Sequence, residues 1–298
     1  MAVRRPPGAA AYGIVPKRDK GFFILSRVAM AVGIIGIAFP ILYILSLSLR
    51  TKETMFSAHL FIIPKAVTLA NYANAWTYAR TNLHVTFLQM FRNSLVASVS
   101  SITAAVALGA LASFSLSHFR FRGKELLFTL LIGSFIIPAQ VLLIPLFFIL
   151  KTMGLIDTYL AIILPYIGIL IPIATLILRS FFEEIPRELK ESAKIDGASD
   201  MKIFLRVVLP LSKPALGSCI ILLFLETWNE FIFALVFLHS PKLQTIPVAI
   251  AKIAGGKFLL PVGTYSASIM ITVIPILIVF IVLQKWFIAG ITMGALKG

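Results

Sequence analysis

The sequence predicts an all-α integral membrane protein with six transmembrane helices and a cytoplasmic helix-turn-helix loop, and three observations carry that reading. Hydrophobic residues make up 59% of the 298-residue chain and charged residues 13%, against about 45–50% and about 25% in a soluble domain. Six long apolar stretches each supply the roughly 20 residues that a helix needs to cross a hydrocarbon core. None alternates polar and apolar residues as a barrel strand does, which leaves helices, whose backbone hydrogen bonds are satisfied internally in lipid. The single cysteine, Cys219, lies inside an apolar stretch, so a disulfide-stapled secreted scaffold is excluded.

The first span, Val28–Leu49, follows a basic tail (residues 1–27). Its 22 uncharged residues are too many for the h-region of a signal peptide, and no small-residue cleavage pattern closes it before Arg50, so it is expected to be a retained anchor. The others run Asn93–Ser117, Leu126–Leu150, Thr158–Leu178, Pro214–Leu238 and Phe258–Gln284, giving a membrane domain over 28–287 and a short tail over 288–298. Pro40, Pro145, Pro165, Pro172 and Pro275 fall within spans and predict local kinks.

With the N-terminus inside, the cytoplasmic segments hold 18 of the 27 Lys and Arg residues and the outer segments nine, so both termini are expected in the cytoplasm. Most of the +15 net charge flanks apolar runs, where headgroups and topology account for it, and no nucleic-acid partner is expected. The outer segment Arg50–Arg92 carries Phe61, Tyr72, Trp76 and Tyr78, which suit either a soluble partner or a cover over the helix ends.

Six of the twelve acidic residues lie between Glu183 and Asp200, interleaved with Arg187, Lys190 and Lys194. The pattern over 183–210 reads as two short helices. Pro186 suits a first helical position, Glu188 favours that N-terminus, and Gly197 suits a left-handed cap after Ile195. Ser199 can cap a second helix running toward Val208, which Leu209 and Pro210 are expected to break. Ile185, Leu189 and Ala193 fall near one face of the first helix; Ile203, Phe204, Val207 and Val208 crowd one side of the second. A loop between adjacent helices needs only two to eight residues, so the stretch from Arg179 to Lys213 invites a docking role, a solvated amphipathic loop being the plainer alternative.

Here the chain resembles a known family, the membrane subunits of binding-protein-dependent ATP-binding-cassette importers, in particular the carbohydrate-uptake group related to the maltose permease. Glu191-Ser192-Ala193-Lys194-Ile195-Asp196-Gly197-Ala198, then Phe204 and Leu209-Pro210, looks like that family's cytoplasmic EAA motif, with Ser192 in place of a usual alanine. The likeness extends to Thr68–Tyr72, Asn93-Ser94-Leu95, Phe121–Lys124, Trp228–Phe231 and the tail from Gly290 to Gly298. It implies that the loop couples to a separate ATPase dimer, which would hold ATP and Mg, with Glu188, Glu191, Ala193, Asp196, Gly197, Ala198, Phe204 and Pro210 forming the docking element. It further implies a bacterial inner membrane location, an extracytoplasmic solute-binding protein and a companion permease, related but different, while the sequence leaves a homodimer open. The tail carrying Lys297 looks like one that reaches the ATPase in some relatives; fraying is the alternative.

No cofactor and no catalytic chemistry are expected in this chain. Gly255-Gly256-Lys257-Phe258 lacks the upstream glycine and the hydroxyl of a phosphate-binding loop, and His59, His84, His118 and His239 make no metal-ligand spacing. Two carboxylates inside the fifth span are the clue to a route, because a charge at the bilayer centre costs about 2.5–3.5 kcal/mol on insertion scales. Glu226 and Glu230 are four apart with Asn229 between, so all three share one helical face, with Trp228 beside it. Carboxylates, an amide and an indole suit a sugar, or hold a subunit interface. The rival is an ion-coupled secondary transporter using Glu226 and Glu230, which would carry an inverted repeat and broken helices; no internal repeat is evident.

Overall fold

A computed structural model of the chain describes residues 20–55, 64, 66–255 and 261–295, with side chains described from residue 24 to 282 within those ranges and at 284. The N-terminal tail before Lys20, Phe61, His59, Gly256 to Phe258 and Leu296 to Gly298 lie outside the described residues. The described elements are helical; the only ladder pairing among them is a single bridge, Arg50 to Val67.

In chain order the helices are α1 (Lys20–Leu49), α2 (Ala70–Asn82), α3 (Phe87–His118), α4 (Lys124–Gly133), α5 (Leu143–Thr152), α6 (Leu160–Glu184), α7 (Arg187–Ile195), α8 (Asp200–Ile203), α9 (Leu209–Leu211), α10 (Lys213–Asn229), α11 (Ile232–Phe237), α12 (Ile246–Ala254) and α13 (Val262–Ala295). Four of them (α1, α3, α6 and α13) are long and apolar enough to cross a membrane, or up to six if each bent pair forms one span. Helix ends overrun the charge-free stretches: α3 begins at Phe87, capped by Thr86 Oγ1 accepting from Gln89 N, because a residue such as Arg92 ends the hydrocarbon and not the helix.

The third predicted stretch is not straight. Lys124–Ile136 and Ala139–Thr152 meet at 87°, and the break falls at Ile137-Pro138, with Ile137 extended at φ −83°, ψ 114°. Pro138 forces its predecessor out of the helical region. Pro145, expected to kink the span, sits in the first turn of α5, where its missing N–H has no intrahelical partner to lose.

α3 and α6 form the centre of the bundle, with α10 packed on both and α13 on α10, α1 and α2. The α3–α6 seam is built from small residues: Ala105, Ala110 and Ala174 are buried, and Ser113 Oγ donates to Thr175 O at 3.0 Å. Lipid tails are as apolar as leucine, so contact between membrane helices comes from close packing and interhelical hydrogen bonds, which small residues permit. Gly109 marks the closest approach; a Cβ there would lie 2.6 Å from Ala174 Cβ and 3.2 Å from Thr175 N. By contrast α1 exposes Ile34, Ile35 and Ile37 along its length.

Polar side chains fasten the ends. Asn71 Nδ2 donates to the carbonyls of Ser48 (3.0 Å) and Arg50 (2.8 Å), capping the C-terminal end of α1, while Tyr72 Oη and Ser48 Oγ lie 2.8 Å apart. α2 thereby lies against α1 and α13, with Ala75 and Ala79 fully buried and Trp76 still 45% exposed. Asn93 Nδ2 donates to the carbonyls of Lys242 (2.9 Å) and Gln244 (3.0 Å), its Oδ1 accepts from Tyr159 Oη (2.6 Å), and Ser94 Oγ accepts from Ile246 N (3.0 Å).

Replacing Gly109 by Val is expected to wedge α3 from α6 and cost about 1–3 kcal/mol, read as a lowered midpoint in thermal unfolding of the detergent-purified protein; an unchanged midpoint would mean that the seam is not the tight contact described.

Candidate functional site

The loop after α6 folds as the sequence anticipates at its turn, while Pro186, expected as the first helical residue, is the N-cap of α7. α7 ends in a left-handed turn at Gly197 (φ +77°), with Ala198 N donating to Ala193 O (2.9 Å) and Gly197 N to Lys194 O (3.1 Å). This paired 6→1 and 5→2 bonding is a Schellman motif, which satisfies carbonyls that the helix end leaves unpaired. A Cβ at Gly197 would meet nothing within 4 Å, so the glycine is required for its φ alone. Ser199 Oγ then accepts from Lys202 N at 3.4 Å and opens α8.

Two further expectations about this loop are corrected. Pro210 does not break the second helix, which continues to Leu211 before a 77° bend into α10. Residues Phe204–Val208 form a π turn, in which Leu209 N donates to Phe204 O, and this wider turn makes room ahead of the proline ring. Leu189 is not on the packed face; it is 46% exposed, and Lys190 takes the inner position at 7% exposure. Lys190 Nζ donates to Phe182 O (3.0 Å), capping the end of α6. Burial holds its ammonium below the ordinary lysine range, and Arg187 nearby pushes the same way against a smaller opposing pull from Glu183.

The loop is anchored from behind. Ile203, Phe204 and Val208 are buried, and the Phe204 ring lies 5.1 Å from that of Phe114 on α3. Phe114 stacks on His118 (4.7 Å), whose Nε2 lies 3.3 Å from Asp200 Oδ1, and Lys194 Nζ approaches the same oxygen at 3.6 Å. Glu188, Glu191, Asp196, Gly197 and Ile195 point outward, Ile195 at 87% exposure, while Ala193 and Ala198 are partly covered. Among the described residues Glu188, Glu191 and Asp196 form no ion pair.

Sequence reasoning missed the brace beside it. Arg179 is 8% exposed; its Nη2 donates to both Glu125 oxygens (2.8 and 3.0 Å), its Nε to Glu183 (2.7 Å), and its guanidinium stands 3.9 Å from the Phe128 ring centre. The i,i+4 spacing of Arg179 and Glu183 was a visible signal; Glu125, 54 positions away, had none.

The fifth span is broken. α10 stops at Asn229, Glu230 is extended (φ −66°, ψ 129°), and α11 follows. Glu230 Oε1 accepts from Phe233 N (2.8 Å), and Oε2 from Ala234 N (3.2 Å) and Tyr166 Oη (2.5 Å). The carboxylate thus caps α11 and no longer lies on one continuous face with Glu226 and Asn229, which are exposed on α10. Trp228 is 2% exposed and stacks between Phe224 (5.1 Å) and Phe91 (6.4 Å), so its ring is core and not an open plate. The break resembles what the ion-coupled rival requires, but Glu230 itself occupies two of the freed backbone N–H groups. Among the described residues no group of three or more His, Cys, Asp or Glu could hold a metal.

At the opposite end from α7, Asp157 (φ 61°) accepts from the backbone N–H of His239 (2.9 Å) and Ser240 (2.8 Å) and from Ser240 Oγ, binding the loop before α6 to the loop after α11. Burial acts to raise its pKa, but the Ser240 and His239 hydrogen bonds outweigh it and hold the carboxyl below the ordinary 3.8.

A family model described as a binding-protein-dependent transport system inner membrane component matches residues 105–293, which include α7, the Gly197 turn and both halves of the broken span. The chain belongs to this family. It is 38% identical over 262 residues to the trehalose transport system permease protein SugB of Mycobacterium tuberculosis, covering 87% of this chain and 92% of that one. It is 34% identical over 280 residues to the trehalose/maltose transport system permease protein MalG of Thermococcus litoralis, covering 92% and 98%. Its fold matches a chain in the crystal structure of a bacterial ABC transporter involved in the import of the acidic polysaccharide alginate, with a TM-score of 0.77 at 24% identity over 91% of this chain and 98% of that one. This inner membrane component is therefore a transport subunit and not an enzyme, and membership supports the importer and not the ion-coupled alternative.

Glu230→Ala leaves the α11 N–H groups without their acceptor and is expected to cost about 1–3 kcal/mol, with Tyr166→Phe losing about 1 kcal/mol; thermal unfolding in detergent ranks them, and equal midpoints for wild type and Glu230→Ala would refute the cap. For Asp157 the folded-state pKa is depressed, so its contribution is complete above the ordinary value and lost as pH falls through the lowered one. The stability gap between wild type and Asp157→Asn is expected to be flat near neutrality and to close only below about pH 4, measured as unfolding midpoint against pH.

Proposed function

We propose that the chain is the six-span permease subunit of an ATP-driven importer for a sugar or oligosaccharide, with both termini in the cytoplasm. Carbohydrate is favoured by the relatives named for trehalose and for trehalose and maltose transport. The bent α4–α5 pair then counts as one span, the third, and the fifth begins at α10 after the 77° turn out of the coupling loop. An external binding protein delivers the solute, and a separate ATPase dimer carrying ATP and Mg supplies the energy, this chain holding no cofactor of its own.

The observation that carries the reading is a stiff projecting loop fixed to the bundle from behind. Glu188, Glu191, Asp196 and the apolar Ile195 form the outward face that an ATPase cleft would receive, with Ala193, Gly197 and Ala198 setting the tight turn. Phe204, seated against Phe114, and Pro210, beyond the π turn, transmit displacement to α3 and α10. Two packed arrangements of such a unit, biased by nucleotide, give alternating access. On the membrane route we assign Glu226 and Asn229 to the solute path or to the companion permease, the two readings the sequence left open, and Glu230 and Trp228 to shaping the broken helix that presents them.

Reconstitution into proteoliposomes with the ATPase and binding protein tests this. Gly197→Asn, which tolerates the left-handed region, is expected to retain most sugar uptake; Gly197→Val, with about 1–2 kcal/mol of backbone strain, is expected to lose it at least tenfold while the protein still folds. Uptake driven by an ion gradient without the ATPase, or equal uptake by both variants, would end the proposal.

A further inference from the structure

Between the end of α3 and the start of α7 lies a cleft of about 550 Å³ whose lining includes Arg120, Lys124, Arg187, Lys190, Glu183 and Glu191. Glu183 is already engaged by Arg179. Among the described residues, none of the four cations makes an ion pair. Lys190 is 7% exposed and donates to Phe182 O alone, which leaves two of its three donors for a ligand. Burial disfavours the charge of Lys190, and Arg187 nearby adds to that against a smaller opposing pull from Glu183. The group that would relieve this is an anion with several acceptor oxygens, such as a phosphate.

Its source follows from the rim. Arg120 and Lys124 sit in the loop whose Phe119 and Phe121 are 40% and 43% exposed, and the chain continues into Leu126, Leu127 and Leu130 at 63%, 56% and 63% exposure. In an inner membrane component such a row of exposed leucines meets lipid tails, and the basic loop immediately before it, with Arg120, Arg122 and Lys124, stands where tails give way to headgroups. A basic cleft at that depth faces the anionic leaflet.

We propose that this cleft binds the phosphate of an anionic phospholipid headgroup, which bridges the α3–α4 loop to α7. The proposal does not depend on the transported solute or on the docking role of Glu191, because binding is read directly.

The full chain, purified with the subunits that accompany it, would be placed in phosphatidylcholine nanodiscs with and without phosphatidylglycerol, and lipid retained after delipidation counted by native mass spectrometry. Wild type is expected to retain phosphatidylglycerol in preference to phosphatidylcholine. An Arg120→Gln/Lys124→Gln double variant, altered only at the cleft's outer rim, is expected to retain it roughly ten- to thirty-fold less, and Lys190→Met to lose the preference if it folds. Equal retention by wild type and the double variant would overturn the proposal. Displacement of the lipid by matched concentrations of inorganic phosphate would overturn the lipid as source, and a charge effect seen only when a partner subunit is bound, whatever the lipid, would assign the cations to that partner instead.

Discussion

The structure depends on one constraint, that a backbone N–H or carbonyl left open in hydrocarbon has no water to turn to. Several of the places where the described chain stops being a helix are met by a polar side chain. Asn71 takes the last carbonyls of α1, Lys190 takes the carbonyl of Phe182 at the end of α6, and Glu230 takes the first N–H groups of α11. Asn93 and Ser94 do the same for the stretch between Lys242 and Ile246 from 149 to 152 positions away. The polar residues of an apolar chain are thus concentrated where the backbone would otherwise be orphaned, and the breaks they permit give the bundle shapes that straight helices would not.

The same accounting explains why the loop after α6 behaves as a unit and not as a flexible connection. Its turn is closed by Schellman hydrogen bonds, its second helix is seated by Ile203, Phe204 and Val208, and His118 and Lys194 converge on Asp200. Across the cleft, Arg179 ties α6 to Glu125 at the start of α4. The exposed face is thus backed by α3, which is in turn packed on α6 through a seam as close as Gly109 on Ala174. Stiffness at this point is what a lever requires, and it arises from burial and hydrogen bonding that the proposed ATPase would not need to supply.

Much of this was legible in the sequence where the determining signal is local. Apolar length located the four helices long and apolar enough to span, and Gly197 with Ser199 located the turn and the next cap, because left-handed φ and side-chain capping are decided within a few residues. The bend at Pro138 was not foreseen although the proline was in view; five prolines sit inside other spans or at a helix start without comparable breaks, and whether one bends a helix depends on its place in the hydrogen-bond ladder. Leu189, which periodicity put on the packed face, gives way there to Lys190, whose ammonium reaches the Phe182 carbonyl, a contact 8 positions away that periodicity does not register. Asn93, in an Asn-Ser-Leu triplet too common to mean anything alone, acquires its role only from a loop that the fold brings to it.

The break at Glu230 narrows the route more than its charge would suggest. A carboxylate accepting from Phe233 N, Ala234 N and Tyr166 Oη has three of its roughly four acceptor sites engaged within the protein, which leaves little of it for a cation or a hydroxyl. Trp228, stacked within the core, is equally committed. What is left of the original cluster is Glu226 with Asn229, one helical turn apart at most and both exposed on α10 just before it ends. In the proposed fifth span a charged residue exposed there would be costly against lipid, which is why the proposal sets a protein neighbour or a water-filled path against it; the break at Glu230 leaves this short polar face at the end of α10 with the first N–H groups of α11 already satisfied.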